Sequence, residues 1–220
     1  MTYIVWDWNG TLLDDTAAAL AALNVMLSRR GKRPISHEFY KDRFAFPVRP
    51  FYRECGFELE REDWDAIAVE YHDAYAMQPR HMANGAIDAL ERAKTLGIGQ
   101  SFLSALRQDK LERDVASFGA AGYFEFVRGT DNLDGSSKVN AAVRLAESIR
   151  SAHPGYSLDI VFVGDAIHDK EVADVLNARC ILFGGGSHAT WRLSPLAPTG
   201  ESIDDVLDMA IDHGFGRMIA

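Results

Sequence analysis

Short apolar runs alternate with helical repeats along most of the chain, and this alternation predicts an α/β fold built on a parallel sheet. TYIVW (2–6) reads as a buried strand that breaks at Asn9-Gly10. Asp15 or Thr16 is placed to cap a helix running to Arg30, with Leu20, Leu23 and Leu27 on one face and Gly31 beyond its end. No convincing strand is expected from about 15 to 82. Helices are expected there at 36–43, 47–55 and 61–77, the last with Trp64, Ile67, Ala68, Tyr71 and Ala74 at helical spacing. The alternation then resumes. Helices at 85–96, 108–118, 137–150, 169–177 and 202–212 are interleaved with strands at 98–103, 124–127, 159–164 and 180–183. The Pro-, Gly- and Ser-rich stretch 184–200 reads as a surface loop.

The 220 residues, 47% of them hydrophobic, suffice for one core domain plus a small insert. A net charge of −9 with scattered basic residues argues against nucleic acid as a partner. The densest basic run, Arg29, Arg30, Lys32 and Arg33, complements a helix C-terminus. Cys55 and Cys180 lack CxxC neighbours, so neither a disulfide framework nor structural zinc is expected. No signal-peptide pattern and no membrane-length apolar run is seen, so a soluble, reducing, cytoplasmic setting is expected. Oligomeric state is not legible.

Ligands of open parallel sheets bind at the carboxyl ends of strands. Asp7 follows TYIVW, Ser104 follows 98–103, and Asp165 follows 159–164, with Asp169 four residues on. Lys138 opens a helix after Gly135-Ser136-Ser137. A cation at a helix start opposes the dipole, which hints at another reason for it. Carboxylates, a hydroxyl and an ammonium suit phosphate chemistry with a hard divalent ion, for which Mg²⁺ is the natural candidate. His168 apart, the stretch offers no zinc ligand; His37, His72, His81, His153, His188 and His213 show no metal-ligand spacing. Gly184-Gly185-Gly186 has no following GK[ST] and reads as a turn at the mouth of the site. Trp6 is expected in the core and Trp8 at the entrance.

Asp7-Trp8-Asn9-Gly10-Thr11-Leu12 resembles the DxDGT(L/V) signature of the haloacid dehalogenase superfamily. Ser104 resembles its second motif and Lys138 its third, and Gly164-Asp165-Ala166-Ile167-His168-Asp169 matches its fourth, GDxxxD. The resemblance spans essentially the whole chain and is nearest to phosphoglycolate-phosphatase-type hydrolases. It implies a Rossmann-like core at 1–14 and 83–220 with an inserted all-helical cap at 15–82. It implies hydrolysis of a small phosphorylated metabolite, with Asp7 as nucleophile and carrier of a transient aspartyl phosphate. Asp7, the Asn9 carbonyl, Asp165 and Asp169 would hold Mg²⁺. Ser104 and Lys138 would bind the phosphoryl group, Thr11 would orient the nucleophile loop, and Arg49 sits where related caps contact substrate.

Asn9 departs from that pattern. Family phosphatases carry there an Asp that protonates the leaving oxygen, and an amide is no usable acid or base. That loss is worth about 10²–10⁴-fold. Three explanations stay open: a substrate with a good leaving group such as an acyl phosphate, a proton from Asp14, Asp15 or His168, or a phosphate-ligand-binding protein with little turnover. A dehalogenase, which would act without Mg²⁺ and usually carries Tyr at this position, is a weaker alternative.

Overall fold

The computed structural model describes residues 1–131 and 138–212; Gly135-Ser136-Ser137 and His213 lie outside the described residues. Strand β1 (Thr2–Trp6) is followed by the two-residue β2 (Leu13–Asp14). Four helices come next: α1 (Thr16–Arg29), α2 (His37–Arg43), α3 (Val48–Cys55) and α4 (Trp64–Ala76). Then follow β3 (His81–Met82), α5 (Ala86–Thr95), β4 (Gly99–Arg107), α6 (Gln108–Ser117), β5 (Phe126–Thr130) and α7 (Lys138–Ala152). The chain continues with β6 (Asp159–Gly164), α8 (Ile167–Val175), β7 (Arg179–Phe183), a one-turn α9 (Thr190–Leu193), β8 (Thr199–Gly200) and α10 (Ile203–Ile211).

Six strands form one sheet in the order β5-β4-β1-β6-β7-β8, and every neighbouring pair is parallel. Alternation along β1 divides the core. Ile4 and Trp6 join a cluster with Leu90 of α5, Leu111 of α6 and Leu207 of α10. Tyr3 and Val5 join one on the other face with Leu145 of α7 and Val172 of α8. Both faces of β1 are therefore covered, as its unbroken apolar run requires. The helical segment has its own cluster, in which Leu23 and Met26 of α1 pack with Phe51 of α3 and Ile67 and Tyr75 of α4. Among the described residues no helix is long and apolar enough to cross a membrane.

Four expectations change. His81–Met82 is a strand inside the stretch expected to have none; it pairs antiparallel with Leu13–Asp14, so the two crossings between sheet and helical segment run side by side. Two residues per strand give no periodicity to read. β4 continues past 103 to Arg107, with a register shift against β5 between Leu103 and Arg107. The loop 184–200 carries α9 and β8. Trp8 does not stand at an entrance. It is fully buried, stacked on Phe102 at 5.4 Å, and its indole N–H donates to Asp114 Oδ2 at 3.1 Å. An indole is retained inside when its one donor is satisfied.

Candidate active site

Because β1 and β6 are parallel neighbours in the register Trp6↔Val163, the residues after each strand emerge on the same sheet edge. The Asp7 N–H donates to the Val163 carbonyl at 2.7 Å, which ties the two strand ends together. Asp169, in the first turn of α8, folds back: its Oδ2 accepts the Asp165 N–H at 3.1 Å and the Ala166 N–H at 2.9 Å. A carboxylate here satisfies free helix-end donors. Asp7, Asp165 and Asp169 are all buried, and each offers an oxygen within 4.8 Å of the other two.

Lys138 lies at the start of α7, and its Nζ bridges Asp7 Oδ1 at 2.5 Å and Asp169 Oδ1 at 2.6 Å. Its placement against the helix dipole is thus explained by two buried carboxylates. The charges shape one another. Burial, opposed by the Lys138 ammonium and reinforced by Asp169 and Asp165, pushes the Asp7 carboxyl well above its ordinary range. Burial and the Asp169 charge raise Asp165 to about 6, against hydrogen bonds from Ser187 and Thr11. Burial would raise Asp169 too, but Lys138 beside it holds that carboxyl below its usual value. Burial would lower Lys138, and the two carboxylates more than offset this. Three buried carboxylates against one ammonium leave negative charge in excess, so this oxygen set fits a hard divalent cation.

The flanking loops press on Asp165. Gly10 has φ +79°, and a Cβ there would lie 2.3 Å from Asp165 Oδ2. At Gly186 a Cβ would meet the Asp165 Cβ at 2.3 Å. Thr11 Oγ1 donates to Asp165 Oδ1 at 3.0 Å, and the Ser187 N–H donates to Oδ2 at 2.6 Å. Thr11 therefore braces the Asp165 carboxylate. Ser187 was not singled out in the sequence; it stands next to the triple glycine, whose tight approach explains how a backbone N–H reaches a carboxylate there.

Ser104 is buried within β4, donates to Asn9 Oδ1 at 3.2 Å and accepts the Leu106 N–H at 3.0 Å. Asn9 is held from the other side, where Nδ2 donates to Asp15 Oδ2 at 2.7 Å and to the Tyr75 hydroxyl at 3.0 Å. Asp15 makes no side-chain cap for α1. Its carboxylate accepts instead from the Gly10 N–H at 2.7 Å and from the Tyr75 hydroxyl. Burial raises the Asp15 carboxyl, against those hydrogen bonds. Tyr75 arrives from α4 and had no local sequence signal.

Asp7, Asn9, Asp15, Ser104, Lys138, Asp165 and Asp169 line one cavity of about 160 Å³ between the sheet edge and the helical segment. Of the candidate proton sources, Asp15 and His168 line it too, whereas Asp14 does not and faces His81 at 3.2 Å on the ribbon. His168 Nδ1 lies 2.9 Å from Glu171, and its buried Nε2 has no partner among the described residues. Arg49 does not line the cavity; its guanidinium sits over the Trp64 ring, 4.8 Å from the centroid.

The family model for haloacid dehalogenase-like hydrolases matches residues 4–183. Phosphoglycolate phosphatase 1 of Pseudomonas aeruginosa is 25% identical over 218 residues, covering 94% of this chain and 77% of that protein. A phosphoglycolate phosphatase of Rhodobacter capsulatus is 24% identical over 203 residues, covering 88% and 87%. The solved structure of a haloacid dehalogenase-like family hydrolase from Streptococcus pneumoniae superposes with a TM-score of 0.69 at 16% identity, covering 95% of this chain and 98% of that one. With four motif segments converging on one sheet edge and a family match over most of its length, the chain belongs to the haloacid dehalogenase-like hydrolases.

Proposed function

We propose that this protein is a phosphoric monoester hydrolase acting on a small phosphorylated metabolite, with Asp7 as the nucleophile. The observation that carries this reading is the buried group of Asp7, Asp165 and Asp169 bridged by Lys138. The phosphatase names of the Pseudomonas and Rhodobacter relatives point the same way.

Asp7, Asp165, Asp169 and the Asn9 carbonyl would hold Mg²⁺, which when bound offsets carboxylate charge and polarises phosphoryl oxygens. The chain's own residues do the rest. Lys138 fixes the Asp7 and Asp169 carboxylates relative to each other, which positions the attacking oxygen before substrate arrives. The Asp7 oxygen bonds to phosphorus as the ester P–O bond breaks, giving an acyl phosphate that water then hydrolyses. Ser104 and Lys138 bind the transferring group, and Thr11 and Ser187 keep Asp165 turned inward. In this reading residues 15–82 are a cap over a core of 1–14 and 83–220, and closing it excludes water from the cleft.

Asn9 supports a second reading, a phosphate-ligand binder with little turnover, because its amide cannot protonate a leaving oxygen. Phosphate release from a panel of alkyl, aryl and acyl phosphates, with and without Mg²⁺, separates the two. The hydrolase reading expects Mg²⁺-dependent release that falls roughly 10³-fold or more in Asp7→Asn. Ligand-induced stabilisation without release on any member of the panel would favour the binder.

A further inference from the structure

The cavity has two unlike ends. The sheet end holds the carboxylates and Lys138. The helical end is built from Tyr40, Phe44, Phe51, Tyr52, Trp64 and Tyr71, which come from α2, α3, α4 and the turn after α2. Among the described residues no arginine lines the cavity, and its one lysine is Lys138, already engaged by two carboxylates. The nearby arginines are committed elsewhere: Arg30 pairs with Glu62 and Glu70, Arg80 with Asp114, and Arg49 lies over Trp64. The buried Asp15 carboxylate lines the same space. A leaving group carrying a carboxylate of its own would keep that permanent charge desolvated there beside Asp15, with no arginine and no unengaged lysine among the described residues to pair it, which is costly.

A second feature concerns the leaving oxygen. The Asn9 amide is held by Asp15, Tyr75 and Ser104 and donates no acidic proton. A departing alkoxide is about as basic as hydroxide, whose parent water has a pKa of about 15.7. A departing phenolate is far less basic, since a phenol has a pKa of about 10. The whole cavity, phosphoryl end included, measures about 160 Å³; since an apolar cavity of roughly 150 Å³ takes a benzene, nothing larger than a single ring fits beside the phosphoryl group.

Building on the hydrolase reading, we infer that the substrate is the phosphate monoester of a small uncharged phenol, its ring seated among the aromatic side chains of the helical segment. Ring pairs with offset or edge-on geometry favour such seating. The Asp7 oxygen forms its bond to phosphorus while the P–O(aryl) bond breaks, and both electrons leave on the phenolate, which then takes a proton from solvent. Water next bonds to phosphorus, the P–O bond to Asp7 breaks and restores the carboxylate, and the water's protons pass to the phosphate product and solvent.

The test compares kcat/KM of the full chain with Mg²⁺ for phenyl phosphate, propyl phosphate and phosphoglycolate. Phenyl phosphate is expected to lead each of the others by at least about tenfold. Phosphoglycolate equal to or better than phenyl phosphate would overturn the uncharged-substrate inference and leave the hydrolase reading standing. Propyl phosphate equal to phenyl phosphate would overturn the aryl assignment alone. No Mg²⁺-dependent release from any of the three would overturn the inference together with the reading beneath it.

Discussion

Asn9 uses its whole side chain in hydrogen bonds, donating to Asp15 and Tyr75 and accepting from Ser104. The amide at this position is therefore built into its surroundings. Asn9→Asp would set a second carboxylate where Nδ2 lies 2.7 Å from Asp15 Oδ2. Two carboxyls that close share a proton, and one keeps it near neutral pH. That proton would lie in the cavity beside the leaving oxygen. We expect Asn9→Asp to raise kcat/KM for propyl phosphate by about tenfold to a hundredfold and to change phenyl phosphate much less. Steady-state kinetics of the purified variant checks this, and an unchanged alkyl rate would contradict it. At this scale Asp7, Lys138, Asp165 and Asp169 could be picked out because each follows a strand or lies at the start of a helix, whereas Ser104 was picked as the residue after a strand and β4 runs on past it to Arg107. Tyr75 and Ser187 were not, since their partners lie 60 or more and 22 residues away in the chain and neither belongs to a motif.

The loop between β7 and α9 acts as a brace between elements. His188 is buried in it; its Nδ1 accepts the Ile167 N–H at the start of α8 at 3.1 Å, and its ring meets Phe44 edge-on at 5.9 Å. It thereby ties the helix carrying Asp169 to the helical segment. Burial, aided by Arg192 and Lys41 and opposed by Asp169, drives its pKa down from 6.5 to about 3. The unfolded chain binds the proton below 6.5 while the folded one does not until about 3. The contribution of this neutral histidine is thus full above 6.5 and is lost as pH falls, by up to about 1.4 kcal/mol per pH unit. His188→Asn keeps an acceptor for Ile167 and removes the titration. Urea unfolding of both proteins across that window should show wild type losing stability on acidification faster than the variant; parallel curves would contradict the assignment. Element types were legible where apolar period and length agreed, as in β6 and α7. The β2–β3 ribbon was not, because its pairing is set by the two crossings of the chain rather than by any local pattern.

At the scale of the molecule, a parallel sheet gathers strand ends and a helical segment rests over them. The net charge of −9 bears on solubility more than on this site. What the site depends on is local: three carboxylates, one ammonium and a neutral amide in a space walled by aromatic rings. The order of motifs was readable from the sequence. The character of the helical end of the cavity was not, because α2, α3 and α4 contribute to it from separate stretches and only packing brings their rings together. Asn9 also sets a kinetic expectation, since a residue that cannot accept a proton cannot activate the water that frees Asp7. The covalent intermediate should therefore outlive the first half-reaction and accumulate.

The most direct measurement is rapid acid quenching of the enzyme during turnover of phenyl phosphate with Mg²⁺, followed by mass-spectrometric mapping of the phosphorylated peptide. The account predicts one phosphoryl group, carried on Asp7, that appears before the steady state and is missing in Asp7→Asn. Phosphate release with the adduct on another residue, or undiminished release by Asp7→Asn, would contradict it.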